Sequence, residues 1–240
     1  MSTQITTAFV EQYSSNIQML SQQKGSLLRD KVRVESVVGK NAFFDQVGSV
    51  TATVRSTRHS DTPQADTPHS RRRVTLADYE FADLIDDLDK VRMLVDPTSS
   101  YAMAAAFAMG RAMDDVIITA ATGDASTGVA GGTTTALPSG QIIAEASTTG
   151  MNIAKLREAK EILDLADVDP SLPRFIVVSP KQITDLLGTT EVTSSDFNTV
   201  KALASGDVNS FLGFNFVVSN RLAVASQIRD CFAFVSDGIT

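Results

Sequence analysis

Residues 96–121 read DPTSSYAMAAAFAMGRAMDDVIITAA, and this stretch decides the fold prediction. Asp96, Pro97 and the hydroxyl residues after them are a typical helix start. Beyond them, one helical stripe is formed by Tyr101, Ala105, Ala108, Ala112 and Val116. We therefore predict a helix from about Ser99 to Ala121, roughly 35 Å long. Because the stripe is mostly alanine, we expect a sheet or a second helix to pack closely against it.

The chain after this helix alternates between loops and short elements. Residues 123–150 are rich in Gly, Thr, Ser and Ala, which predicts a long surface loop or a small ribbon. Apolar spacing predicts a second helix over 152–166 and short helices over 180–187 and 196–204. Apolar runs predict strands at 175–178, 214–219 and 231–235. These elements indicate an α+β fold with a mixed sheet.

The N-terminal residues 1–31 predict an amphipathic arm. Phe9, Tyr13 and Ile17 recur at helical spacing and form one apolar stripe. A short helix of this kind is not stable alone, so we expect the stripe to lie on the domain or on a neighbouring chain. The first residues lack the features of a signal peptide. The longest uncharged run, 125–144, is rich in Gly and Thr and contains a proline, so no stretch predicts a membrane span.

Residues 32–81 change to strand periodicity. Apolar and polar residues alternate near 50–54 and again near 74–76, and these runs bracket the polar stretch 56–73. The pattern predicts a long β-hairpin with a flexible tip that projects from its domain. After the hairpin, residues 83–95 predict an acidic helix.

The composition excludes several classes of protein. The chain has 240 residues, 43% of them hydrophobic, which indicates a folded protein of one large domain or two small ones. A net charge of −7 and a pI near 4.8 argue against nucleic-acid binding over the whole surface. Cys231 is the single cysteine, which excludes an internal disulfide and a multi-cysteine zinc site.

Three groups of residues could carry chemistry, and each has a simpler explanation. The histidines with two nearby aspartates could bind a metal, but such residues are expected in a solvated loop: His59, His69, Asp61 and Asp66. The Gly-rich stretch 123–140 has no Lys or Arg to neutralise a phosphate. Ser179 lies between a strand and a helix as a nucleophile would, yet the flanking glycines are missing, which favours a helix cap.

Charge is unevenly distributed around the predicted hairpin. Residues 51–75 carry five arginines against two aspartates, a net of +3, whereas 76–90 carry six carboxylates against one lysine, a net of −5. Such runs are usually ordinary solvated surface. The sharper hypothesis is that the arginines of one copy dock on the acidic segment of the next copy, in a head-to-tail contact that closes into rings or shells.

The order of these parts resembles the major capsid protein of tailed bacteriophages, which has the HK97-like fold. The likeness rests on the helix stretch DPTSSY and GRAMDDVII, and on KLREA, RFIVVSP and GFNFVVSN, which begin at residues 155, 174 and 213. It implies an N-terminal arm over residues 1–31, followed over 32–95 by an extended hairpin called the E-loop together with its base. A peripheral domain with a spine helix would occupy 96–150, and an axial domain would occupy 151–235. Residues 236–240 would return toward the peripheral domain.

The resemblance also implies a function. The protein would be a shell subunit without a cofactor, not an enzyme, made in the cytoplasm of a bacterial host and located in the virion. Many copies would form the hexamers and pentamers of an icosahedral head, with portal, scaffolding or cement proteins as partners. The head would hold double-stranded DNA without sequence-specific contact. Related chains usually continue beyond the strand at which this one stops, so this version is either compact or lacks a C-terminal part.

Two alternatives stay open from the sequence, an encapsulin-type compartment with the same fold and a serine hydrolase that uses Ser179. For the shell subunit, the contacts between copies are expected at Phe9, Tyr13, Ile17, Arg55, Arg58, Arg71, Arg72, Arg73, Asp78, Glu80, Asp83, Asp86 and Asp87.

Overall fold

A computed structural model describes residues 21–55, 57–58, 61–62, 64–83, 98–144, 150–188, 210–225 and 228–239. The chain divides into two compact units. One comprises Met1–Ser26 and Tyr79–Met113, and the other comprises Leu27–Asp78 and Asp114–Thr240. The predicted arm stripe, nearly all of the predicted helix over 83–95 and the predicted helix over 196–204 lie outside the described residues.

The long helix predicted from the sequence is present. Helix α1 spans Thr98–Thr122, one residue beyond the prediction at each end. In the first unit, a Cβ added at Gly110 would lie 2.5 Å from the Cα of Gly25, so the backbone at Gly25 packs directly on the helix. The close approach was expected, but its partner is neither a sheet nor a second helix.

A four-stranded sheet is built from two hairpins in the order β1-β2-β3-β4. Strand β1 (Asn41–Val47) pairs antiparallel with β2 (His69–Thr75), and the link 48–68 completes what we call the first hairpin. Strands β3 (Ala125–Thr127) and β4 (Thr133–Thr135) form the second. The Gly-rich stretch therefore contains a small ribbon, which joins the first hairpin through the β2–β3 pair.

The first hairpin differs from the predicted one in its position along the chain. The strand expected near 50–54 is wrong, because β1 lies at Asn41–Val47 instead. Val54 is 93% exposed and has no surface to pack on, whereas Ala42 and Phe44 are half-buried. Strand β2 also begins earlier than expected, at His69, so three arginines assigned to the polar link lie within a strand.

A second four-stranded sheet has the order β10-β5-β7-β6. Its central strands β5 (Arg174–Val178) and β7 (Phe214–Val218) are parallel, and β6 (Ser210–Phe211) and β10 (Phe232–Val235) pair antiparallel at the two edges. Helices α2 (Ile153–Leu165) and α3 (Pro180–Leu187) and the strand pair β8 (Val224–Ala225) and β9 (Ile228–Arg229) belong to the same part of the chain. Two short 3-10 helices, Arg29–Lys31 and Ser139–Gln141, complete the described elements. The predicted strands and both helices here are confirmed within two residues, and the α+β class is confirmed with them.

Two apolar clusters pack on this second sheet, as the alternation of strand side chains requires. Ile176 and Val178 of β5 join the first cluster, with residues of α2 and α3, while Val177 between them joins the second. The second cluster also contains Leu28, which is fully buried, and Ile118 of α1. The predicted arm 1–31 therefore includes a core residue near its end. Among the described helices, none combines the length and the hydropathy that crossing a bilayer requires.

Candidate inter-subunit surface

Apolar side chains are exposed along the first hairpin. Val47 at the end of β1 is 64% exposed, Phe43 is 47% exposed, and Val50 and Val54 in the link are also exposed. Soluble monomers rarely leave so many large apolar side chains in water within one segment. The first hairpin is therefore a candidate contact surface.

Arg71 is paired within its own hairpin. Its Nε donates to Oδ1 of Asp45 at 2.5 Å and its Nη2 donates to Oδ2 at 3.0 Å, while the guanidinium lies 5.8 Å from the ring centre of Phe43. The hydrogen bonds hold the pKa of Asp45 below its usual value and raise the pKa of Arg71. Since β1 and β2 place the two residues directly opposite each other, this pair is a cross-strand contact. Arg71 therefore already has a carboxylate partner within its own chain, and its predicted contact with another copy stays a prediction.

Arg72 and Arg73 point to opposite faces of the sheet, because neighbouring strand residues alternate. Arg72 donates from Nε to Oε1 of Gln46 at 3.4 Å. Arg73 lies on the same face as Phe43, its register partner, and Gly131 of the β3–β4 turn covers its stem. The Nε of Arg73 is buried and has no hydrogen-bond partner among the described residues.

The other predicted contact residues are either exposed or outside the described part of the chain. Described residues of this set are all exposed: Arg55, Arg58, Asp78, Glu80 and Asp83. The remaining residues fall outside the described ranges: Phe9, Tyr13, Ile17, Asp86 and Asp87. Their roles in contacts between copies stay predictions.

Sequence reasoning missed a junction at which helix α1 holds the backbone of Leu27 and Leu28. Asp114 of α1 is fully buried, and its carboxylate accepts the N–H groups of Leu27 and Leu28 at 3.1 Å. Next to it, Asp115 forms an ion pair with Arg221. Asp115 raises the pKa of Arg221 by a hydrogen bond and by its charge, and the charge of Asp114 adds to this. The two aspartates thus hold two distant segments against one helix turn.

The buried stripe of α1 explains why this junction was missed. In its C-terminal half the buried positions are Gly110, Asp114 and Ile118, four residues apart, whereas Val116 of the predicted apolar stripe is 45% exposed. Because glycine and aspartate are not large apolar residues, a search for apolar spacing does not find this stripe. The spacing of four residues was the available signal.

The candidate chemical sites take structural roles where they are described. Ser179 is 1% exposed and its N–H donates to Oε1 of Gln182 at 2.8 Å, which confirms it as the N-cap of α3. Burial raises the pKa of the Cys231 thiol to about 11. His69 lies in β2, His59 is outside the described residues, and the described residues hold no group of three or more metal-ligating side chains.

Comparison with known proteins gives a family and a fold. The sequence model of the family described as "Phage capsid protein" matches residues 5–240. The capsid structure of the cyanophage P-SCSP1u superposes with a TM-score of 0.67 at 20% identity, over 95% of this chain and 74% of that one. A structure from Mycobacterium phage Che8 has a TM-score of 0.62 at 19% identity, over 91% and 77% of the two chains.

The mature capsid of bacteriophage PhiM1 is also similar, with a TM-score of 0.63 at 17% identity over 90% of this chain and 69% of that one. At these identities the structures share the fold with this chain. No curated protein matches it.

Proposed function

Because this chain belongs to the phage capsid protein family, we propose that it is the major capsid protein whose hexamers and pentamers close an icosahedral phage head. The match over residues 5–240 carries this conclusion, and the fold shared with solved phage capsids supports it. As a capsid protein it acts in the virion by assembling with copies of itself. The family also favours a phage head over the encapsulin-type compartment.

The surface of the first hairpin supports assembly through this element. Exposed apolar side chains such as Val47 and Val54 become protected from water when a neighbouring subunit covers them. We propose that the first hairpin is the E-loop and that the N-terminal residues 1–31 form the arm, both of which contact other copies. The division into peripheral and axial domains is part of the same proposal.

The remaining parts of the proposal concern partners and chemistry. The protein is made in the bacterial cytoplasm and works without a catalytic activity. It encloses double-stranded DNA without reading its sequence, and it meets portal, scaffolding or cement proteins at assembly. The net charge of −7 fits a container for DNA, because a strongly basic lining would hold phosphates and hinder packaging and ejection.

Electron microscopy of the purified full-length protein tests the proposal. We expect closed shells or hexameric and pentameric capsomers, and particles purified from infected cells should contain DNA rather than an enzyme cargo. A stable monomer at high protein concentration would contradict the proposal. Particles filled with protein cargo would support the encapsulin alternative instead.

A further inference from the structure

A shallow groove lies between helix α2 and the turn that joins β6 to β7. Its volume is about 460 Å³, and its lining residues are Arg157, Lys160, Glu161, Asp164, Leu165 and Leu212. Leu165 is the last residue of α2 and is 77% exposed. Leu212 has a φ of +52°, at a turn position where Asn or Gly is usual. We call this surface the α2 groove, and its apolar part consists of the two leucines.

The charges around the α2 groove favour an anionic partner. Asp164 is already paired with Arg174. Arg157 and Lys160 are exposed and form no ion pair with any residue that the structure describes, which leaves two cations against the carboxylate of Glu161. The groove is therefore locally basic in a chain whose net charge is −7. A complementary partner would bring an apolar side chain with a carboxylate beside it.

The chain carries such a pair of side chains at β9. Ile228 is 48% exposed, and Asp230 is exposed and forms no ion pair within the described ranges. Because the two are two residues apart along a strand and its continuation, they lie on the same face. The nearby arginines are engaged, Arg221 by Asp115 and Arg229 by carbonyl oxygens of the segment before β8. We call Ile228 and Asp230 the β9 patch, which is apolar and acidic.

Within one copy, the α2 groove and the β9 patch lie at different ends of the second sheet. Strand β7 begins directly after the turn of Leu212 and ends at Val218, about 13 Å away, and the chain then leads to β8 and β9. Helix α2 packs on the first apolar cluster, whereas Leu222 before β8 is buried in the second cluster, on the other face. A contact between groove and patch therefore needs two copies. Such a head-to-tail contact can close into a ring.

We propose that the α2 groove of one copy binds the β9 patch of the next copy, with Ile228 against Leu165 and Leu212 and Asp230 beside the two cations. The inference rests on the proposed shell function and assigns to it one contact within a ring of subunits. A nucleic-acid phosphate would also suit the cations, but it offers nothing to cover the leucines.

Charge reversal tests the pairing in protein that assembles without DNA. Asp230→Lys should lower the association constant by up to about fivefold per contact, seen as a higher protein concentration needed for assembly. Either Arg157→Glu or Lys160→Glu in the same chain should restore assembly. Asp124→Lys makes the same change at an exposed carboxylate of neither surface and should assemble like the wild type. Normal assembly of Asp230→Lys, or failure of both compensating changes, would overturn the assignment.

Crosslinking identifies the occupant of the groove directly. The chain with Leu165→Cys and Ile228→Cys, and with Cys231→Ala to remove the native thiol, is assembled and treated with a short bis-maleimide. We expect a ladder of covalent oligomers that ends at closed rings, and no ladder from either single cysteine. Assembled protein without a ladder would overturn the assignment, and so would dimers from Leu165→Cys alone, because groove would then meet groove. A defect of Asp230→Lys seen only with DNA present would assign the groove to a phosphate instead. Wild-type protein that forms no capsomers or shells would overturn the proposed function itself.

Discussion

Asp114 and Asp115 are neighbours in the sequence but lie in different environments. Asp114 is fully buried with the N–H groups of Leu27 and Leu28 on its carboxylate, whereas Asp115 and its partner Arg221 keep 43% and 35% of their side chains exposed. Water screens an exposed ion pair, while a buried donor that loses its acceptor has nothing to replace it.

This contrast gives a paired prediction. Asp114→Asn should lower the free energy of unfolding by about 1–3 kcal/mol, because its amide places a donor against the N–H groups of Leu27 and Leu28. Asp115→Asn should lower it by less than about 1 kcal/mol. Urea unfolding of the full-length subunit, at concentrations below assembly, measures both. A loss for Asp114→Asn no larger than that for Asp115→Asn would contradict the role of the junction.

A second prediction concerns the pKa of Asp45 and the stability of its ion pair with Arg71 at low pH. Hydrogen bonds from Arg71, and its charge, lower the pKa of Asp45 from 3.8. A lowered pKa in the folded state means that the pair stabilises the fold above pH 3.8 and that this contribution is lost as the pH falls through the lowered value. NMR titration of Asp45 should therefore give a pKa below 3.8, and Arg71→Gln should return it toward that value. An unchanged pKa in Arg71→Gln would mean that the pair does not persist in solution.

At the scale of elements, local sequence patterns predicted the helices and strands that are determined by interactions within their own segment. Helices α1, α2 and α3 and strands β5, β7 and β10 follow from apolar spacing and from caps such as Ser179, because these signals lie within the segment itself. Strand β1 was misplaced, since Val50 and Val54 alternate as well as Ala42 and Phe44 do. Which of the two runs becomes the strand depends on its pairing with β2, and β2 is in turn paired with β3 on its other side. Neither pairing can be read from the run itself.

The candidate surface shows the same limit. The sequence singled out the arginines of β2 by their charge, but three adjacent letters do not reveal three different environments. Only the register with β1 gives Arg71 its partner Asp45, and only the return of the chain at Gly131 covers Arg73. The roles of Asp114 and Leu28 were missed because their partners lie more than 80 residues away.

The turn between β3 and β4 allows a prediction at this scale with an adjacent control. Gly131→Ala should lower the free energy of unfolding by about 1–3 kcal/mol, because the new Cβ meets the stem of Arg73 and the backbone has a positive φ. Gly132→Ala should change it by about 0.5 kcal/mol or less, since no atom lies within 4 Å of a Cβ at that position. Thermal unfolding of both variants gives the comparison, and equal losses would refute the close packing on Arg73.

For the whole molecule, the second compact unit begins at Leu27. Deleting residues 1–24 should leave the second unit folded and should block shell closure, because the arm is proposed to bind other copies. Deleting residues 1–28 should also remove Leu28 from the second apolar cluster, at a cost of about 2–5 kcal/mol.

Circular dichroism measures folding of the two truncated proteins, and sedimentation measures their assembly. We expect the protein that lacks residues 1–24 to melt near the wild-type temperature and to sediment as small species. Shells of normal size from the protein lacking residues 1–24 would show that the arm is dispensable for assembly.

The second apolar cluster can form only late in translation, because its members are far apart in the sequence. Leu28 packs in the same cluster as Phe234, and the N–H of Arg33 donates to the carbonyl oxygen of Ile239 at 3.0 Å. These partners are translated about 200 residues apart, a delay of about 10–40 s at bacterial elongation speeds. In a nascent chain the N-terminal segment therefore stays undocked until strand β10 has left the ribosome.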